Sequence, residues 1–386
     1  MLSRYRLVLI IFAIFLDNGA FAQYSYTYAR NEAAQIAASL DDNLLAAQVL
    51  LTGIDGKAAL SPVMRSILER VPAGGIMLFK YNLDTSKDDV KTLCAEIADC
   101  VVSRAGIPPF AAVDHEGGLV HRFGAGVEKL PSAFSFWELA QKESWAATMA
   151  KAETFYRRSA GEIRDMGITL VFGPVAEILD DDNRLFLDTR SYGPNPVFTQ
   201  YAASAFVKSF SAAGVACAVK HFPGNGAVDP HSGVSLLKAN RSALDKMTKP
   251  FAGIIRSLSP AAIMISHVTV PALDQTSASL SRPVIEGWLR GELGFKGIVL
   301  ADDYSMAAVA VSGLSPAAAA VAGLNAGVDM IMCWPGNIVA VHSAILEALE
   351  SGRLSRERLR EAAGRIIAEK IRCGLAAAYP APGENQ

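Results

Sequence analysis

Short apolar runs recur along this chain at 75–79, 110–113, 170–172, 215–219, 262–265, 298–300 and 330–332. Each is brief and free of charged residues, which suits a strand buried on both faces. Longer helical stretches separate them, among them 87–103, 145–166, 195–213 and 316–327, and 353–372 forms a last charged amphipathic helix. Ahead of the first run, 32–51 reads as an alanine-rich surface helix. Strand and helix alternating this often predict a parallel sheet.

The residues that follow the runs sharpen this. Phe79 leads into Lys80, Tyr81 and Asn82; Val113 into Asp114; Val219 into Lys220 and His221; Ile265 into Ser266 and His267; Leu300 into Ala301, Asp302 and Asp303. Ionisable groups gathered at strand C-termini are the arrangement of an α/β barrel with its active site on that face. A doubly wound sheet also uses strand C-termini. No G-x-G-x-x-G turn opens a helix here, so a single TIM-like (β/α)8 barrel is expected.

Composition limits the partners. The 386 residues are 51% hydrophobic and 19% charged, as in a protein with a large core. A formal net charge of -2 gives no basic excess for nucleic acid and no acidic tail. Arg4 and Arg6, the apolar run 7–16 and the small residues Ala20 and Ala22 have the order of a cleavable export signal. That run is short of the ~20 residues a bilayer span requires. The expected organisation is a signal peptide at 1–22, a lead segment at 23–44, one barrel at 45–376 and a tail at 377–386. Export, to a periplasmic or extracellular site, follows from the signal, with an uncleaved N-terminal anchor as the alternative to cleavage. Five cysteines have neither metal nor disulfide spacing; Cys217 and Cys333 sit in apolar runs as small core residues.

Two segments carry the chemistry. In the first, 220–231, Lys220 and His221 end a strand, a Pro-Gly turn follows, and Asp229 and His231 stand two apart in a loop. A carboxylate beside an imidazole can orient and charge it for acid and then base catalysis; a surface loop with an incidental His is the plainer alternative. In the second, 293–306, Asp302 directly follows a buried strand, a costly place for a carboxylate without a task or partner. It could attack an anomeric carbon. A helix N-cap is the other use of such a residue, and Asp303 suits that better.

Together these segments resemble the K-H-F-P-G-H-G…D-S-H loop and the L-G-F-x-G…S-D-D-L-S-M strand of the family 3 β-N-acetylglucosaminidases. Three more stretches agree: 112–123 with V-D-Q-E-G-G-R-V-Q-R-F, 172–175 with 189–193 for A-P-V…R-S-F-G, and 264–267 with Pro271 and Asp274 for M-x-x-H…P…D. The resemblance runs over roughly 45–376. It implies Asp302 as nucleophile, His231 as acid/base and Asp229 as the partner of that His. It implies Asp114, Arg122, Arg190, Lys220 and His221 as the groups that hold the terminal sugar, although Arg122 and Arg190 could also serve only as partners of core-edge carboxylates. The family mechanism is retaining, with no metal or organic cofactor, and His115, His121 and His267 look too dispersed to form a ligand set. The expected partner is a carbohydrate: N-acetylglucosaminyl oligosaccharides or muropeptides.

The chain departs from the pattern at Asn225, for the second His of the turn, and at Pro230, for the Ser inside the dyad, with a shorter spacer from Gly226 to Asp229. Leu119 replaces an Arg, and Glu177 replaces the Asp after the P-V pair. Proline restricts both itself and the preceding residue, which bears on the dyad geometry. The competing readings are a β-glucosidase or β-xylosidase, whose acid/base carboxylate comes from an additional domain, a phosphorylase using a neutral His, and an exported sugar-binding protein on a decayed barrel.

Overall fold

The computed structural model of the protein describes residues 18–124 and 126–376. The apolar leader 7–16 and the tail 377–386 lie outside the described residues. Eight parallel strands form one sheet: β1 (Leu50–Gly53), β2 (Gly75–Leu78), β3 (Phe110–Asp114), β4 (Leu170–Val175), β5 (Ala216–Phe222), β6 (Ala262–Ile265), β7 (Ile298–Ala301) and β8 (Ile331–Cys333). Sequential strands pair from β1 to β7, and β8 returns to pair with β1 through Leu50↔Ile331 and Thr52↔Cys333. On its other side the last strand meets β7 by a single bridge, Leu300↔Met330, with the Ala301 N–H donating to Met330 O at 2.9 Å. The sheet thus closes into a (β/α)8 barrel, as the strand-end pattern predicts.

Seven of the strands are the apolar runs. The eighth, β1, corrects the sequence reading, which carries one helix through Leu51. Asp41 starts a new short helix, Asp42–Gln48, by accepting the Leu44 N–H at 2.8 Å. That helix ends at Val49, and Leu50–Gly53 is buried between β2 and β8. The helix before it, Asn18–Ser39, packs on the final helix, Arg356–Arg372, with the Arg372 guanidinium 5.1 Å from the centre of the Tyr26 ring. No helix among the described residues is long and apolar enough to cross a membrane.

Serines set many of the helix starts. Ser61, Ser86, Ser132, Ser144, Ser315 and Ser355 each accept the N–H three residues on, satisfying a donor the helix cannot. Asp303 does not cap a helix as expected: Met306 holds the N-cap position of Ala307–Ala310. The β7–β8 seam is braced from within by Asp329, fully buried, which accepts from the Val299 N–H and from Arg290, Arg358 and Arg365 at 2.5 to 3.0 Å. Burial would raise this carboxyl, but the three guanidinium groups hold it below the ordinary range.

Candidate active site

The strands deliver their C-terminal residues to one cleft of 330 Å³. Asp114 closes β3, Lys220 and His221 lie within β5, Asp302 follows β7, and Trp334 follows β8. Arg190 arrives from a short turn, Asp188–Arg190, after β4. All of these line the cleft, with Arg122 and His231. Its remaining wall is largely apolar and includes Met77, Met264, Met332 and Phe172.

One side is an ion network. The Lys220 ammonium donates to Asp114 Oδ1 at 2.8 Å and meets Glu116 Oε1 at 2.6 Å. Arg190 donates to both Glu116 oxygens, at 2.8 and 3.0 Å, and Arg122 reaches Asp114 at 3.4 Å. Glu116 and Lys220 are buried. Burial opposes the charge on each, yet Lys220 and Arg190 hold the Glu116 carboxyl well down, while Asp114 and Glu116 hold the Lys220 ammonium up. Glu116, Lys220 and Arg190 are therefore charged at neutral pH, and the network fixes donors and acceptors beside each other, as recognition of a neutral, hydroxyl-rich ligand requires. The alternative role for the arginines is also realised, since both pair with carboxylates.

His221 is fixed from behind. Its Nδ1–H donates to Glu177 Oε1 at 2.6 Å and its backbone N–H to the same oxygen at 3.3 Å. Asn225 donates from Nδ2 to both Glu177 oxygens at 3.1 Å. The departures at 177 and 225 are thus one feature: the longer carboxylate reaches the shorter amide. With Nδ1–H committed, His221 presents Nε2 to the cleft.

Asp302 lines the same cleft as this network. Burial would raise its carboxyl, but the His267 and His221 rings, the Asp303 N–H and Lys220 hold it below the usual range, so the nucleophile candidate is ionised. His267 is buried and its pKa depressed by that burial; Nε2–H donates to Asp303 O at 3.0 Å, and Nδ1 accepts from Ser279 Oγ at 2.7 Å. Asp303 instead accepts the Ser305 N–H at 2.8 Å and the Trp334 indole N–H at 2.5 Å.

The dyad forms despite Pro230. His231 Nδ1 donates to Asp229 Oδ1 at 2.7 Å, and its backbone N–H donates to the same oxygen at 2.9 Å. Burial acts against the Asp229 charge, but these two donors lower its pKa. The His231 side chain is 68% exposed, and Pro230 O ties the loop to the β7 side by accepting the Ala308 N–H at 3.2 Å.

Sequence reasoning missed Glu116, Glu177 and His267 as site residues, and Phe79 and Trp334 as cleft walls. Glu116 stands two after Asp114, just past a strand end, and the strand-end rule would have found it. Trp334 also directly follows a strand, but it is not ionisable, so that rule passes over it. His115 and His121 are not dispersed: their rings lie 5.8 Å apart, outside the cleft, with His115 buried and its pKa pushed down to about 3. Cys94, Cys100, Cys217, Cys333 and Cys373 are free thiols.

Residues 42–368 match the glycosyl hydrolase family 3 N terminal domain. The chain is similar to a β-hexosaminidase of Methylococcus capsulatus, 34% identical over 296 residues, covering 76% of this chain and 84% of that one. It is also similar to β-hexosaminidase A of Pseudoalteromonas piscicida, 29% identical and covering 81% of this chain, although this chain spans only 56% of that protein. Among solved structures, a family 3 β-N-acetylglucosaminidase from Paenibacillus superposes with a TM-score of 0.81 at 31% identity, over 87% of this chain and 63% of that one.

Proposed function

The chain belongs to glycosyl hydrolase family 3, and from that premise we propose that it removes terminal non-reducing β-linked N-acetylglucosamine from peptidoglycan fragments or related oligosaccharides, with retention of configuration. The relatives' names support the acetamido sugar; the dyad of Asp229 with His231, in one cleft with an ionised, half-buried Asp302, is the observation that carries the mechanism. Asp302 attacks the anomeric carbon and forms a glycosyl-enzyme as His231 protonates the departing oxygen. His231 then takes a proton from the water that releases the sugar. Asp229 orients that imidazole and stabilises its charged form. Asp114, Arg122, Arg190, Lys220 and His221 hold the sugar hydroxyls.

An exposed His231 reaches the leaving oxygen by closure of its loop over bound substrate. We also place the protein outside the cytoplasm, on the order of charges and apolar residues in its first 22 positions. The test is release of aglycone from a chromogenic β-N-acetylglucosaminide beside the matching glucoside, by wild type and Asp302→Ala. Selective cleavage of the acetamido sugar, lost in the variant, is expected. A folded protein that binds N-acetylglucosamine but cleaves neither would overturn the reading in favour of a sugar-binding protein.

A further inference from the structure

Opposite the ion network, the cleft mouth carries three stacked aromatic rings with no assigned task. Phe79, just after β2, lies between Tyr81 and Trp334. Its ring centre is 5.7 Å from that of Tyr81 and 5.1 Å from that of Trp334, with planes inclined by 11° and 14°. Phe79 and Trp334 line the cleft, and Tyr81 and Trp334 remain 48% and 43% exposed.

Each ring is pinned. Trp334 donates its indole N–H to Asp303 Oδ2 at 2.5 Å and to Ser305 Oγ at 3.2 Å. Tyr81 donates its hydroxyl to Ile54 O at 2.6 Å. The backbone of Phe79 is held by the buried Asn82, whose Oδ1 accepts the Phe79 N–H at 2.8 Å. β1 lies between the strands that carry the two inner rings, and it ends at Gly53. A Cβ on Gly53 would fall 2.9 Å from Phe79 Cε2 and 3.5 Å from Pro335 Cδ. A glycine is therefore what lets Phe79 and Trp334 close over β1.

A rigid ring stack whose polar atoms are already bonded offers only its faces to a ligand. Those faces are electron-rich and attract polarised C–H groups, which a pyranose with equatorial hydroxyls presents on both sides. Pre-fixed rings also spare a ligand the entropy of ordering them. Position decides which sugar they meet. The polar groups that grip the first sugar lie on the β3–β5 side. Asp302, which that sugar's anomeric carbon faces, directly precedes the residue that anchors Trp334. The bond to be cut therefore points toward the mouth, where the rings stand.

We propose that Trp334, stacked on Phe79 with Tyr81 behind it, is the platform for the leaving-group side of the substrate, and that its ligand is a second pyranose ring. This rests on the hydrolase reading above and adds to it the residue that receives the departing sugar and sets preference among leaving groups.

The test compares the full chain with Trp334→Ala and Trp334→Phe on two substrates. One is N,N′-diacetylchitobiose; the other is β-N-acetylglucosaminyl fluoride, whose leaving group is a single atom. The ratio of kcat/KM for disaccharide over fluoride falls about tenfold in Trp334→Ala, as expected for loss of one aromatic face, and recovers most of that in Trp334→Phe. An unchanged ratio overturns the platform, including the case where both substrates slow equally because Asp303 has lost its anchor. If wild type cleaves neither compound, the hydrolase reading has failed, and calorimetric titration with the disaccharide decides the platform: about tenfold weaker binding by Trp334→Ala sustains it, and equal binding overturns it.

Discussion

Glu177 accepts the Nδ1–H of His221 at 2.6 Å while both residues are buried, and Asn225 spans the two oxygens of the same carboxylate. His221 therefore has one tautomer and one orientation available, with Nε2 turned to the cleft. Glu177→Gln keeps the shape but removes the charge and allows the ring to turn. A fall of about tenfold in kcat/KM for a β-N-acetylglucosaminide is expected, carried mainly by KM, from loss of one charge-assisted hydrogen bond. Steady-state kinetics on a protein with unchanged circular dichroism checks this; wild-type KM would assign Glu177 to structure alone.

Asp302→Ala is expected to lower kcat by at least about 10³-fold, the usual scale for a removed nucleophile. The wild-type carboxyl is held below the usual aspartate range, so it is ionised above that range, and protonation takes its reactivity away only as pH falls beneath it. An acid limb of kcat/KM lying above about pH 5, well over that range, would therefore belong to another group. A pH series on wild type, with azide tested as a substitute nucleophile for the variant, reads both points.

Glu116→Ala leaves the Lys220 ammonium and the Arg190 guanidinium short of a shared buried partner. Removing one member of such a cluster costs about 3–5 kcal/mol. Chemical denaturation should show that loss. The folded fraction should also bind N-acetylglucosamine more weakly, because Lys220 would turn toward Asp114 alone. Wild-type stability and affinity together would contradict the central place given to Glu116.

Lys370 lies fully buried near the N-terminal end of β3, its Nζ without a hydrogen-bond partner among the described residues and 5.6 Å from the centre of the Phe110 ring. Burial pushes its pKa well below the ordinary lysine range. Between the folded and unfolded pKa values the unfolded chain holds a proton the folded chain lacks, so stability rises with pH through that window and falls as pH drops. Lys370→Met removes that slope. It is expected to raise Tm at pH 6 and, by less, at pH 8; a lower Tm at pH 6 would contradict the assignment.

The barrel and the polar half of the site were legible because both depend on local order: an apolar run, then an ionisable residue at its end. Asp114, Lys220, His221 and Asp302 follow that rule. The strand β1 escaped it because four residues following an alanine-rich helix give periodicity too little length, and its identity as a strand comes from β2 and β8. Glu177 and Trp334 escaped for another reason. Their tasks are set by partners far along the chain, His221 and Phe79, and no spacing within one segment encodes such a pairing. Asp303 was placed by its nearest helix, whereas its oxygens serve an indole thirty-one residues away.

The single bridge between β7 and β8 has a consequence for the order in which the molecule becomes competent. Synthesis lays down Asp114, Lys220, His231 and Asp302 before β8 exists. Until residue 331 is available, β1 and β7 stand as open edges with unpaired backbone groups, ready to join any other strand. Trp334, bonded to Asp303, arrives with the same strand that shuts both edges. A nascent or truncated chain that stops short of β8 is thus an aggregation hazard carrying almost every reactive group, and completion of the barrel and assembly of the substrate mouth are one event.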